Sequence, residues 1–171
     1  RLREFWDQGT AILPAVPAVA GMPFAGIFRD WISEWSGGLD AAIGVPGFFV
    51  PRLDAATWRG ALPNPSYYDT TPLRETLLSL VDFDLLNDGP VRLSVGAVDV
   101  QSGNFAYFDN RQLRIGPDHV MASGALPPGF PAVQIDGRWY WDGGIVSNTP
   151  LRHVVENVAA PRATIFQVDL F

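Results

Sequence analysis

The sequence predicts an α/β domain with helices layered on a mixed sheet, and three observations carry that expectation. From Tyr67 onward, β-branched apolar runs alternate with helical segments, the pattern of layered α/β architecture. The length of 171 residues corresponds to one domain. Hydrophobic residues make up 47% of the chain and charged residues 18%, against roughly 25% charged in an average domain. That balance requires a large core or an apolar surface and excludes intrinsic disorder.

The first residues, Arg1–Asp7, are charged and amphipathic and lack the apolar centre of a signal peptide. The location is left open by the sequence, with the cytoplasm favoured and peripheral contact at a membrane surface as an alternative. Gln8–Phe28 carries no charged side chain and is long enough to span a bilayer. Pro14, Pro17 and Pro23, with Gly9, Gly21 and Gly26, interrupt any continuous spanning helix. The stretch reads either as a buried irregular loop or as an exposed apolar lid facing lipid. Phe24, Ile27, Phe28, Trp31, Ile32 and Trp35 fall at helical spacing and predict a helix that Gly37-Gly38 stops. Ile43–Pro51 is apolar and broken, and Asn64-Pro65-Ser66 is a turn. Residues 8–66 thus form an apolar Pro/Gly-rich lid or insertion region, and residues 67–171 form the core.

Within that core, Thr71-Pro72 predicts a helix start with Thr71 as N-cap, followed by Leu73, Leu77, Leu78 and Val81. Asp82 caps a second short helix through Leu86. Val91–Val100 is a strand, turned by Ser102-Gly103-Asn104 into Phe105–Phe108. Gly116-Pro117-Asp118 opens a helix to about Ser123, and Gly124–Pro131 is a stiff loop. Val133–Ile135 and Trp139–Trp141 form a hairpin about Asp136-Gly137. Thr149-Pro150 starts a helix carrying Leu151, Val154 and Val155. Ala163–Leu170 is expected to be a final buried strand.

Charge and composition remove several functions. The net charge is −6, every cation is Arg, and no basic tract exists, so nucleic acid is not a partner. Without cysteine there is no disulfide, Cys-based zinc site or thiol nucleophile. His119 and His153 lack metal-ligand spacing, so no metal or cofactor is expected. Both read as polar helix residues, although each lies in sequence near the best candidate for chemistry. Asp82 and Asp84 read as helix caps. Asp99, in Val-Gly-Ala-Val-Asp-Val, needs a partner if buried or else sits at the strand's exposed end.

The best candidate is Asp142, in Trp141-Asp142-Gly143-Gly144. An acidic residue at the end of an apolar strand, followed by two glycines, exposes a carboxylate where another backbone or a substrate can approach. The glycine amides can donate to that carboxylate or to an anion. Alternatively, Asp142 only caps its own turn. The wider run bears on the choice. Ala122, Ser123, Pro127, Phe130 and Pro131, then Asp142-Gly143-Gly144, Asn148 and Pro150, resemble the C-terminal part of a patatin-like phospholipase domain. The resemblance runs from about Tyr67 to Phe171, and Arg1–Trp6 resembles the segment after that family's nucleophile helix.

The resemblance implies a three-layer fold around a mixed, largely parallel sheet. It also implies a lipid acyl hydrolase with a Ser–Asp pair, in which Asp142 is the base. A free Asp, with pKa about 3.9, is a weak base for a hydroxyl, so burial and hydrogen bonding are expected to strengthen it, with Trp139, Tyr140, Trp141 and Ile145 as apolar flanks. No Gly-x-Ser-x-Gly occurs. Ser36 has Glu34 where the first glycine belongs, and Ser123 lacks the flanking glycine pair. The expectation is a domain whose nucleophile elbow and oxyanion loop precede Arg1, inactive alone and partnered by that missing segment, with a lipid or ester substrate. Competing readings are a non-catalytic lipid-binding or interaction module and an anion site on Gly143-Gly144.

Overall fold

The computed structural model describes residues 42–52, 65–146, 151–158 and 162–168. The expected helix over Phe24–Trp35, the uncharged Gln8–Phe28 stretch and the Arg1–Trp6 segment lie outside the described residues, as do Asn148 and Pro150. The chain divides into two compact units, one of residues up to Val91 with Pro127–Pro131, the other of Arg92–Leu126 with Ala132–Phe171.

In the first unit, β1 (Val50–Pro51) pairs antiparallel with β2 (Tyr68–Asp69), Pro51 opposite Tyr68. The amides of Tyr67 and Tyr68 donate to the carbonyls of Pro128 and Gly129, at 3.2 and 3.0 Å, so the proline-rich loop continues this small ladder. Phe48, Phe49, Tyr68 and Phe130 stack with ring centroids 4.6–5.9 Å apart, the tilted geometry that aromatic quadrupoles favour. Helix α1 (Thr71–Leu80) is tied to this cluster's turn by the Thr76 hydroxyl, which donates to the Gly47 carbonyl at 2.7 Å. The N-cap is Thr70, one residue earlier than expected, and its side chain makes no cap bond. Asp69 does that work instead: its Oδ1 accepts from the Thr71 N–H at 2.9 Å and the Thr71 hydroxyl at 2.7 Å. Helix α2 (Phe83–Asp88) follows, with Asp82 Oδ1 accepting from the Leu85 N–H at 2.9 Å, as the sequence predicts.

The second unit is built on a four-stranded sheet of order β4-β3-β6-β5, with β3 Ser94–Asp99, β4 Phe105–Asp109, β5 Val133–Ile135 and β6 Arg138–Asp142. The β5–β6 hairpin turns through Asp136 and Gly137 at φ 49° and 79°. Two consecutive positive φ values fit the tight turn whose twist matches the strands, and Asp-Gly supplies them cheaply. Helix α3 (Pro117–Ala122) covers one sheet face. Ala122 joins Ala97, Phe108, Ile135 and Tyr140 in a buried cluster. Strand alternation places Val95, Ala97 and Asp99 of β3, and Tyr140 and Asp142 of β6, on that same face.

Helix α4 (Leu151–Asn157) is held to the sheet at its C-terminal end. Arg92 donates from Nε to Asp109 at 2.7 Å and from its two terminal nitrogens to the Asn157 carbonyl and side chain, at 2.8 and 3.2 Å. A cation on the last carbonyls of a helix also complements its dipole.

The mixed helix and strand content agrees with the α/β class. Every strand pairing among the described residues is antiparallel, so the largely parallel sheet implied by the resemblance is not seen among them. One prediction fails outright. Residues 163–168 form no strand and are exposed, Phe166 at 88%. β-branched composition favours a strand only where a neighbour offers hydrogen bonds, and none pairs there among the described residues. No described helix is long and apolar enough to cross a membrane.

Candidate active site

Asp142 is the last residue of β6 and lies opposite Ala97. Two hydrogen bonds fix it. Its N–H donates to the Ala125 carbonyl at 2.9 Å, which ties the strand end to the Ala-Ser-Gly-Ala stretch after α3. Its Oδ1 accepts from the Gly144 N–H at 3.1 Å, opening a single 3₁₀ turn over Gly143–Ile145. Among the described residues its Oδ2 accepts no hydrogen bond. The side chain is half-buried, Tyr140 is buried, and Ile145, expected as an apolar flank, is 48% exposed. The flank is therefore one-sided, because Gly143–Ile145 turns away from the strand direction.

Gly143 is buried against β3. A Cβ built on it would lie 2.8 Å from the Gly96 carbonyl oxygen and 2.8 Å from the Phe105 ring. On Gly96, a Cβ would lie 2.5 Å from that ring. The two backbones thus touch through two glycines, with Phe105 lying over both. The sequence offered one signal for this, a glycine in mid-strand, which marks a close backbone approach. Phe105 itself gave none.

The other candidates are occupied elsewhere. Ser123 ends α3, its hydroxyl donating to the Val120 carbonyl at 2.8 Å. Ser66, Ser79 and Ser94 donate to Tyr68, Thr76 and Asp109, and Ser102 accepts from the Asn104 N–H. Among the described residues no serine is bonded to Asp142. His119 Nδ1 accepts from the Gly116 N–H at 3.0 Å, half of a capping box for α3, and its ring lies edge-on to Phe108. Burial pushes its pKa below the ordinary histidine value. His153 lies flat on Tyr107, centroids 3.6 Å apart, with Asn157 donating to its carbonyl. Neither histidine is bonded to Asp142.

Asp99 is buried, not at an exposed end, and has its partner. Arg138 donates to Oδ2 at 2.8 Å and the amides of Gln101 and Ser102 donate to Oδ1. The Arg138 bond first, then that of Ser102, holds this carboxyl below the usual range. Asp84 lies in the first turn of α2, as a cap-region residue should. The anion reading of Gly143-Gly144 meets a competitor in the geometry that fixes Asp142. The Gly144 N–H, which an anion would need, is already given to a carboxylate. Among the described residues no three His, Cys, Asp or Glu side chains are grouped to hold a metal ion.

A family model for patatin-like phospholipase matches residues 15–155. Neither a curated protein nor a solved structure matches the chain.

Proposed function

The chain belongs to the patatin-like phospholipase family, a family of lipid acyl hydrolases, and from that premise we propose that Asp142 is the general base of a Ser–Asp pair whose serine is supplied outside residues 1–171. The observation that carries this reading is the asymmetry of the Asp142 carboxylate. Oδ1 is spent on the Gly144 N–H, while Oδ2 accepts nothing among the described residues. A base needs one oxygen held for orientation and one free to take a proton.

The chemistry then runs in two halves. As the serine Oγ attacks the ester carbonyl, its proton passes to Asp142 Oδ2 and the carbonyl oxygen gains the negative charge. Collapse of the tetrahedral intermediate breaks the ester C–O bond, and the proton goes from Asp142 to the departing alcohol. Water then attacks the acyl-serine, giving its proton to Asp142, and the serine leaves with that proton as the fatty acid is released. Donors for the oxyanion come from the same segment as the serine. The 171-residue chain alone is inactive, because it contains no Gly-x-Ser-x-Gly.

The lipid-binding alternative draws no support from Phe48 and Phe49, which pack against Phe130 and Tyr68. The test is hydrolysis of short-chain p-nitrophenyl esters and phospholipid micelles by the full-length protein. Asp142→Ala is expected to lower kcat by roughly 10²–10⁴-fold, the usual worth of a general base. Equal hydrolysis by both proteins sinks the assignment.

A further inference from the structure

We propose that Phe105 is a positioning residue for Asp142, acting through the contact of Gly96 with Gly143. The proposal rests on Asp142 as the base, and it adds what holds that base in place.

Asp142 is restrained on two sides. In the plane of the sheet its own N–H is bonded to the Ala125 carbonyl at 2.9 Å. On the other side the next residue, Gly143, lies against the bare backbone of Gly96, with no room for a Cβ on either. The Phe105 ring closes this contact from above, within 2.8 Å of where either Cβ would stand. Phe105 alternates with the core residues Ala106 and Phe108 along β4, so it belongs to the face that α3 does not cover. This ring is the nearest side chain over both glycines, with the Tyr107 ring next at 3.7 Å from a Cβ built on Gly96.

Phe105 is in turn braced. Its ring meets Tyr107 at 4.6 Å, and Tyr107 stacks at 3.6 Å and 9° on His153 of α4. The ladder His153–Tyr107–Phe105 thus links the helix following the Asp-Gly-Gly turn to the turn itself. Removing the ring frees Gly143 to rise from Gly96. Gly143 carries the chain from Asp142 to the Gly144 N–H, so that movement turns the Asp142 carboxylate. Misplacement of a catalytic group by about 1 Å costs up to roughly 100-fold in rate.

The experiment compares Phe105→Ala, Phe105→Leu and Phe108→Leu in the full-length protein, labelled with ¹⁵N-glycine. Phe108 is the control, since it is buried in the core and does not touch the glycines. Two readings are taken well below every melting midpoint: the split of kcat from KM, and the chemical shift of the Gly144 N–H, which reports its bond to Asp142. Phe105→Ala is expected to lower kcat by about 10–100-fold with KM unchanged and to move the Gly144 signal upfield. Phe105→Leu should restore most of both. Phe108→Leu should lower the melting midpoint while leaving kcat and the Gly144 signal in place. An unmoved Gly144 signal in Phe105→Ala, or a kcat loss in Phe108→Leu as large as in Phe105→Ala, overturns the proposal. The two claims separate cleanly. If Asp142→Ala keeps full activity while the Gly144 signal moves in Phe105→Ala, the positioning contact stands and the base assignment falls.

Discussion

A methyl group on Gly143 would meet the Gly96 carbonyl oxygen and the Phe105 ring at 2.8 Å each, and the carbonyl belongs to a paired strand that has nowhere to go. Overpacking of this kind costs about 1–3 kcal/mol, so Gly143→Ala should lower the unfolding free energy of the full-length protein by that amount, read from urea unfolding. Gly124 has nothing within 4 Å of a built Cβ and no positive φ, so Gly124→Ala should stay within about 0.5 kcal/mol of the parent. The titrating residues act in a second way. Asp109 is 1% exposed. Burial pushes its carboxyl up, but the Ser94 hydroxyl, the Arg111 amide and the Arg92 guanidinium outweigh burial and hold it below the usual range. Asp99 is held down similarly. A carboxyl with a depressed folded pKa stabilises fully above its unfolded value of about 3.9, and that stability is lost as pH falls through the folded value. His119 adds an upper limb. Its folded pKa is depressed by burial, so stability falls from about pH 6.5 downward until the folded ring is protonated. Thermal midpoints of the full-length protein measured from pH 8 to pH 2 should therefore fall in two stages. His119→Gln should remove the first stage and Asp109→Asn should shallow the second.

At the level of elements, the local signals of the sequence agree with the structure and the long-range ones do not. Asp82 on α2, the Asp136-Gly137 turn and the β3–β4 hairpin each depend on residues within a few positions of one another, and each formed as expected. α1 is capped one residue earlier than the Thr-Pro pair implies, because Asp69, outside that pair, takes over the cap. Asp69→Ala should cost about 1 kcal/mol, the worth of a helix cap, and Thr70→Ala should cost much less, measured by denaturant unfolding. Residues 163–168 failed as a strand because pairing is decided by a neighbour and not by composition. The candidate site divides the same way. Asp142-Gly143-Gly144 is contiguous and was legible. Phe105 was not, because its role exists only once β3, β4 and β6 lie side by side.

At the level of the whole molecule, the low charge content has a visible outcome. Phe166, Val168, Val91, Leu85 and Ile43 are all more than 60% exposed, and β4 and β5 stand at the edges of the four-stranded sheet among the described residues. Exposed apolar side chains and unpaired strand edges each favour association. The isolated 171-residue chain should elute from a sizing column as oligomers or aggregate on heating, and a monomer that melts cooperatively would contradict this. The family membership makes one claim that can be read chemically. If Asp142 activates a serine outside these residues, a fluorophosphonate probe on the full-length protein, followed by peptide mapping, should label a single serine in a Gly-x-Ser-x-Gly sequence. That label should disappear in Asp142→Asn. A label on Ser123 or any other serine of residues 1–171, or an undiminished label in Asp142→Asn, would contradict the account.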